Sequence, residues 1–460
     1  VFLLVVYSAG DVSFSCRRIP PRRKTTAPGT IRNINGALAT GSDFFGRERE
    51  LLRLARILLT DSLLLTAPRR VGKSSLVLRL RDLHCDGVAE PRFRQILHDH
   101  GLLSPVQQLL PVAVYFNAED CTSELDFAKK LVAALQQQGK FTAALQNQIG
   151  SLIRTFTEAV GLQKISLFGL DVPVGEAAST GTIRSLITSL LHNIESQPNA
   201  GTALVAVDEL PEFLLILERQ QNGPQRVSEF LHWLRALRQE FGQRVRWIFL
   251  GSIGLDTFVD QRSLTKTLSG LVPMSPGAWE ADEAHSFPEA IGPAVGLELS
   301  ADVRVAILQQ VGWALPYHLQ IIIQALSELK SAPLPLPGQQ LMTVETADVS
   351  RAVERLLQPD GFMRFDTWRQ RLKDQLTAPD HAAVMRILRR LAVVPAGLPR
   401  LQLLHELQQP DPHADPDVIA AQLSHLLAML QRDGYLLEQH GRYAFRSFLL
   451  REFWYRREVC

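Results

Sequence analysis

The sequence predicts an α/β fold: a parallel sheet carrying a glycine-lysine-serine loop, followed by a helical block and a C-terminal winged helix. Three observations predict it. Apolar runs at 62–66, 203–207 and 246–250 are short and continuous, as strands buried on both faces are. The first runs straight into Ala67-Pro68-Arg69-Arg70-Val71-Gly72-Lys73-Ser74-Ser75, which opens a helix to about Arg81. From about 380 the pattern becomes three helices, 380–393, 398–408 and 416–432. Two short strands follow, 435–439 and 443–447, with Gly441 at the turn.

The elements follow in order. Acids early in 43–50 lead into an apolar stripe at helical spacing, a helix start. A second strand fits 111–117, a long helix 123–160, a hairpin 164–172 and a helix 183–195. Helix 226–241 separates the strands at 203–207 and 246–250, and 271–274 makes a short fifth strand. Strands alternating with helices imply a parallel sheet with right-handed crossovers. Residues 280–375 read as helical, with a Pro/Gly-rich break at 331–338. Residues 98–100 read as a polar loop. The expected divisions are a disordered extension 1–42, an α/β core 43–275, a helical lid 276–375 and a winged helix 376–460.

A chain of 460 residues is too long for one ordinary core, so two to four domains are expected. A formal net charge of +2 shows no basic excess of the kind a DNA-bound protein carries. Cys16, Cys85, Cys121 and Cys460 are not at metal or redox spacing and read as isolated thiols in a reducing compartment. The apolar start at residues 1–6 lacks a basic region before it, and no apolar run approaches a bilayer span. A cytoplasmic protein without a membrane contact is expected.

Ala67-x-x-x-x-Gly72-Lys73-Ser74 between a strand and a helix is the context a phosphate-binding P-loop needs. Backbone N–H groups of Arg69, Arg70, Val71 and Ser75, in the loop that Pro68 opens, would face phosphates with the helix N-terminus. Gly72 would let the backbone approach, Lys73 would neutralise β/γ oxygens, and Ser74 would offer its hydroxyl to magnesium. The strand at 203–207 ends in Asp208-Glu209. Asp208 would join the metal shell, and Glu209 would orient and deprotonate a water. Taken alone, the pair reads as the acidic start of a helix after a strand; the P-loop upstream in the same sheet makes it a second site. Ser252, after the strand at 246–250, would either contact the γ-phosphate or water, or simply cap.

Four segments together resemble the archaeal-type ATPases, in the STAND branch of AAA+-like NTPases and close to the origin-recognition initiators. They are Phe44-Phe45-Gly46-Arg47-Glu48-Arg49-Glu50, the loop 68–75, Val207-Asp208-Glu209 and Gly312-Trp313-Ala314-Leu315-Pro316-Tyr317, and the resemblance spans 43–455. It implies a P-loop NTPase core, ATP or ADP, and Mg²⁺. It places Phe45, Gly46 and Arg47 at the adenine and Pro316 near base or ribose. Two positions depart from the pattern: Ala67 stands for the first glycine, and His318 is the only basic residue in 312–318.

The recognition helix of the winged helix, 416–432, carries Gln422 and Gln431 but no Arg or Lys before Arg432, and Asp411, Asp415 and Asp417 cluster at its start. Wing and tail cations Arg442, Arg446, Arg451, Arg456 and Arg457 could touch a backbone without reading sequence. The expectation is an ATP-driven switch of slow turnover, with Pro316 and His318 sensing nucleotide and a protein partner or self-association as output. A DNA-loading or DNA-remodelling ATPase and a non-hydrolysing nucleotide scaffold are the alternatives.

Overall fold

The computed structural model describes residues 31–34, 36–82, 91–104, 113–136, 164–167, 170–173, 180–195, 202–251, 255–332, 340–409 and 415–459. Its strands in the first half are β1 (Ser62–Thr66), β2 (Ala113–Asn117), β3 (Lys164–Leu167), β4 (Leu170–Pro173), β5 (Ala203–Asp208), β6 (Val245–Gly251) and β7 (Leu271–Met274). β3 and β4 form the expected antiparallel hairpin. The other five make one sheet in the order β2-β5-β6-β1-β7, parallel throughout.

The continuous apolar runs are explained by this sheet. In β5, Ala203, Val205 and Val207 enter the core on one face, while Leu204 and Ala206 enter the core on the other. In β6, Val245, Trp247 and Phe249 face one way and Ile248 and Leu250 the other. A strand alternates its side chains, so burying both faces removes the polar half of the pattern. From β1 the chain crosses to the far edge at β2, returns through β5 and β6, and ends beyond β1 at β7. Thr66 pairs with Gly251 and Asn117 with Asp208, so the loops leaving these strands open on the same carboxyl edge. Ligands of open α/β sheets bind outside that edge where the strand order reverses.

Helices Ala281–Ile291, Ala301–Val311, Pro316–Leu329, Thr346–Leu356 and Met363–Gln375 form the lid region. The winged helix follows as Ala378–Val393, Arg400–Gln408 and Pro416–Arg432, with strands Leu436–Gln439 and Arg442–Phe445 antiparallel. A third short strand, Leu398–Pro399, pairs with the second of these. Helix Phe448–Glu458, not anticipated from the pattern, closes the domain with Phe453 and Trp454 fully buried. Ser447 caps it by accepting from the Leu450 amide.

Lid and winged helix are not separate cores. One apolar cluster runs from Trp279 and Phe287 through Leu319, Phe365 and Trp368 to Tyr435 and Trp454. Ala67 and Val71 of the glycine-lysine-serine loop belong to it.

Several expectations change. Residues 36–42, assigned to a disordered extension, have defined contacts with helix Lys73–Asp82: the Ala39 amide donates to Ser75 Oγ at 2.9 Å and Arg79 donates to the Gly41 carbonyl at 3.0 Å. His98 and Asp99 end a helix, Pro91–Asp99, and are not in a loop. Helix Gly223–Glu240 starts before 226 because Pro224 suits the first turn of a helix. Of the helix at 123–160 the structure describes Glu124–Gln136; 137–160 lies outside the described residues. So do Cys16, Cys85 and Cys460; Cys121 is a free, buried thiol.

Trp454→Ala should cost about 3–5 kcal/mol of unfolding free energy, as large aromatic truncations in cores do. The shared cluster makes a specific further prediction for chemical denaturation followed by lid and winged-helix probes. Both should lose structure at the same lowered midpoint.

Candidate functional site

Gly72 has φ +98°, a conformation that only glycine adopts without strain, and a Cβ there would meet no protein atom within 4 Å. The side chain is therefore excluded by the backbone conformation, and the space beside it is open. Helix Lys73–Asp82 begins one residue later. Ala67 is not in the left-handed region, and its methyl packs in the lid and winged-helix cluster. The missing first glycine thus introduces no left-handed alanine.

Lys73 is buried, and its Nζ donates to the carbonyls of Ala67 at 2.7 Å and Pro68 at 3.1 Å. Burial pulls its pKa down to about 8, against the pull of Glu209 and Asp208; Arg371 and Arg69 lower it further. Ser74 Oγ and the Tyr115 hydroxyl both donate to Asp208 Oδ2 at 2.5 Å. The Glu209 amide donates to Oδ1 at 2.9 Å. Burial raises the Asp208 pKa and neighbouring Glu209 adds to it, while both hydroxyls and Lys73 oppose. Burial, then Asp208, raises Tyr115 as well, so its hydroxyl keeps its proton. Glu209, at φ +49°, is the residue from which helix Leu210–Glu218 starts.

A cavity of about 350 Å³ opens above this edge. Its polar end is lined by Arg69, Arg70, Gly72, Lys73, Ser74 and Glu209. Val71, Ser75, Phe45, Arg47 and Pro316 line it too. At the apolar end, Phe45 packs edge-on to Trp279 and Phe287, at centroid distances of 5.7 and 5.3 Å. Arg47 has a structural task. Its Nη2 donates to the Val71 carbonyl at 3.0 Å and to Gly277 at 2.6 Å, and its amide donates to Glu283 Oε1 at 2.6 Å. It ties the P-loop to the start of the lid. Gly46, at φ +66°, does not line the cavity; a Cβ there would stand 2.9 Å from Glu283 Oε1.

Pro68 also lies off the cavity and packs beneath Gly434. Arg69 pairs with Glu212 at 3.0 Å and Glu119 at 3.6 Å. Arg70, at φ +69°, stacks over Tyr317 at 4.5 Å and donates to the Gly36 carbonyl at 3.1 Å. Pro316 begins the lid helix, and Gln320 on the same helix accepts from the Gly36 amide at 3.2 Å. The segment 36–39 is thereby a wall of the site.

His318 does not sense the cavity. It is fully buried, its Nδ1 is 3.4 Å from Ser447 Oγ, and burial lowers its pKa to about 3, so it is neutral. Arg262 is engaged by Glu218 at 2.6 Å and lies over Phe258. Ser252 lies outside the described residues; it follows β6, which runs between β1 and β5. Tyr115, Gln320 and Thr367 were not anticipated from the sequence, and Tyr317 was given no task beyond its place in the segment 312–317. Tyr115 sits two residues before the end of β2, and only the pairing of β2 with β5 brings it to Asp208.

No family model matches the sequence, and no curated protein matches it. Solved structures do. The Walker-type ATPase of Pyrococcus abyssi superposes with a TM-score of 0.53 at 16% identity, covering 90% of this chain and 97% of that one. The Aeropyrum pernix ORC2 protein, solved as ADPNP-ADP complexes, gives 0.52 at 12% identity, covering 92% and 96%. The chain has the AAA+ P-loop NTPase fold with a C-terminal winged helix. In that AAA+ framework the cavity lies between the sheet's carboxyl edge and the lid.

Arg47→Ala should lower unfolding free energy by about 2–4 kcal/mol, because the Val71 and Gly277 carbonyls and the Glu50 carboxylate lose their donor. Hydrogen exchange should show the amides of 69–72 less protected than in the parent protein.

Proposed function

We propose that the chain binds ATP with magnesium between the sheet edge and the lid, and hydrolyses it slowly as a switch governing lid and winged helix. The observation that carries this reading is the convergence of Lys73, Ser74 and Glu209 at the polar end of one cavity, with Asp208 bonded to Ser74 behind it. That cavity's other end is aromatic. A triphosphate tail suits the first and a base suits the second.

Each residue has a task. Lys73 leaves the carbonyls of Ala67 and Pro68 for the β/γ oxygens, and the amides of 70–74 with the helix start complete the cradle. Phe45 and Pro316 flank the base and ribose, while Gly46 and Arg47 hold that wall in place. Arg69 orders the acids beside the loop. Glu209 orients the attacking water and takes its proton, and Ser252 follows the strand that ends between them. Ser74 and Asp208 would hold magnesium, a hard ion that takes few protein oxygens and keeps waters. Ser74 Oγ and Asp208 Oδ2 lie 2.5 Å apart, and among the described residues no group of three or more His, Cys, Asp and Glu forms a rival metal site. When bound, magnesium would supply charge that neutralises phosphate oxygens.

Switching follows from where the loop sits. Ala67 and Val71 are in the lid and winged-helix core, so a shift of the loop on binding is felt there. The wing and tail cations each have a partner within the chain, with Arg442 and Arg457 still exposed. Arg442 donates to the Gly397 carbonyl, Arg446 lies over Trp313, Arg451 donates to the Ala392 carbonyl, Arg456 pairs with Glu354 and Arg457 lies over Phe362. Helix Pro416–Arg432 meets the α/β core through His425–Gln261 at 3.0 Å and Arg432–Asp256 at 3.8 Å. These contacts favour a protein partner or a second copy over DNA as output. No described helix is long and apolar enough to cross a membrane, and we place the protein in the cytoplasm.

Glu209→Gln should keep ATP binding within about twofold and lower turnover by about 10²-fold or more. Phosphate release and nucleotide titration measure the two separately. Turnover equal to the parent's removes Glu209 from the mechanism. A phosphate-release rate indistinguishable from buffer in the parent, with nucleotide tightly held, selects the non-hydrolysing scaffold.

A further inference from the structure

Strand β2 is the edge of the sheet beside β5. In their register Asn117 stands opposite Asp208, and Tyr115 stands opposite Ala206. Side chains alternate along a strand, so all four share one face. Asn117, directly opposite Asp208, is bonded elsewhere: its Oδ1 accepts from the Glu119 amide at 2.8 Å, and its Nδ2 donates to Glu119 Oε2 at 3.4 Å. The diagonal neighbour serves Asp208 instead. The Tyr115 ring packs on the apolar cluster that holds Leu76 and Val77 of helix Lys73–Asp82. Ala206, opposite the ring, carries only a methyl. The hydroxyl reaches along this face to Asp208 Oδ2 and donates at 2.5 Å.

Asp208 is 2% exposed, so its charge depends on donors from the protein. A carboxylate offers about four acceptor positions, about two on each oxygen. Ser74 and Tyr115 take those on Oδ2. The Glu209 amide takes one on Oδ1. Among the donors of the described residues, that leaves one position, on Oδ1. Ser74 belongs to the phosphate loop, and the Glu209 amide belongs to the turn that Asp208 itself enters. Tyr115 is the donor that neither segment carries: it is held by the neighbouring strand and by the core beneath it. A group on a rigid strand places its bond more precisely than one on a loop.

We propose that Tyr115 is a positioning residue for the divalent cation of a bound nucleotide: by filling Oδ2, its hydroxyl fixes the carboxylate so that Asp208 offers Oδ1 to the cation or to a water on it. This rests on the nucleotide reading above and adds a residue outside the P-loop, the acidic pair and the lid. Groups that hydrogen-bond a metal ligand set its orientation, and losing one costs about 10–100-fold in metal affinity. Without the phenol, Oδ2 keeps Ser74 alone, and that hydroxyl is itself offered to magnesium. The carboxylate can then swing between its two oxygens, and the cation has to order it on binding. Phenylalanine at 115 keeps the ring on its core and removes one oxygen atom.

Manganese is the probe, because electron paramagnetic resonance counts its free form. Titrated into the ADPNP complex of the full chain, manganese should bind Tyr115→Phe about tenfold or more weaker than the parent, while ADPNP affinity in EDTA stays within about twofold. A hydroxyl with only a structural task would lower stability and leave manganese affinity unchanged. In an Asp208→Ala background, Tyr115→Phe should have no further effect on manganese, because the two residues act through one bond. Equal or tighter manganese binding in Tyr115→Phe overturns the role of Tyr115 and leaves nucleotide binding intact. A full further loss in the Asp208→Ala background overturns it too. If Tyr115→Phe does not fold, fluorotyrosine placed at position 115 gives a second reading. Its fluorine resonance should shift when magnesium joins the ADPNP complex, and a resonance blind to magnesium overturns the proposal. A parent protein that binds no ADPNP removes the underlying reading instead.

Discussion

The phosphate loop is anchored on both sides, and the rest of the architecture depends on that. Through β1 it leaves an interior strand, between β6 and β7, of a five-stranded parallel sheet with an apolar core on each face. Through Ala67 and Val71 it enters the apolar core shared by lid and winged helix. Burial of apolar surface is non-directional and strong, so neither side can shift alone without exposing part of a core. Between the two anchors the loop meets its own polar needs: Lys73 is held by the carbonyls of Ala67 and Pro68, and Arg47 by those of Val71 and Gly277. A ligand that takes Lys73 rearranges hydrogen bonds at the junction of three structural units.

Backbone strain gathers at this junction. Among the described residues outside glycine, seven have positive φ, and Arg47, Arg70 and Glu209 of these line the cavity. Each left-handed non-glycine residue costs of order 1 kcal/mol and persists only where its surroundings hold it. Arg47 is held by Glu50, Glu283 and two carbonyls, and Arg70 by Tyr317 and Gly36. Glu209 is held as the residue between a buried strand and a helix. The strain turns Glu209 out of the strand direction at the sheet's carboxyl edge, where a polar end of a cavity is found.

The sheet was legible because its rule is local: a strand buried on both faces is a nearly continuous apolar run, and 203–207 announces it. The loop 67–75 was legible for a similar reason, since a Gly-Lys-Ser triplet between strand and helix has few other uses. Much of the rest depends on distance in the chain. Residues 36–39 read as the end of the disordered extension 1–42, and only their bonds to Ser75, Arg70 and Gln320 make them a wall. Tyr115 reaches Asp208 through strand pairing across ninety residues of chain. His318 lies in the segment expected to sense nucleotide, but the lid helix turns it toward Ser447 and the winged helix. The wing cations illustrate the same limit: the sequence counts their charges, and the fold gives each a partner within the chain.

The most direct measurement of the central claim is the identity of any nucleotide carried by the purified protein, released by denaturation and determined by mass, alongside a Lys73→Ala variant prepared in parallel. The account predicts adenine nucleotide at a substantial fraction of one per chain in the parent and almost none in the variant, with both proteins folded. Parent and variant carrying equal amounts, or a parent that takes up no ATP with magnesium even when supplied in excess, would contradict it.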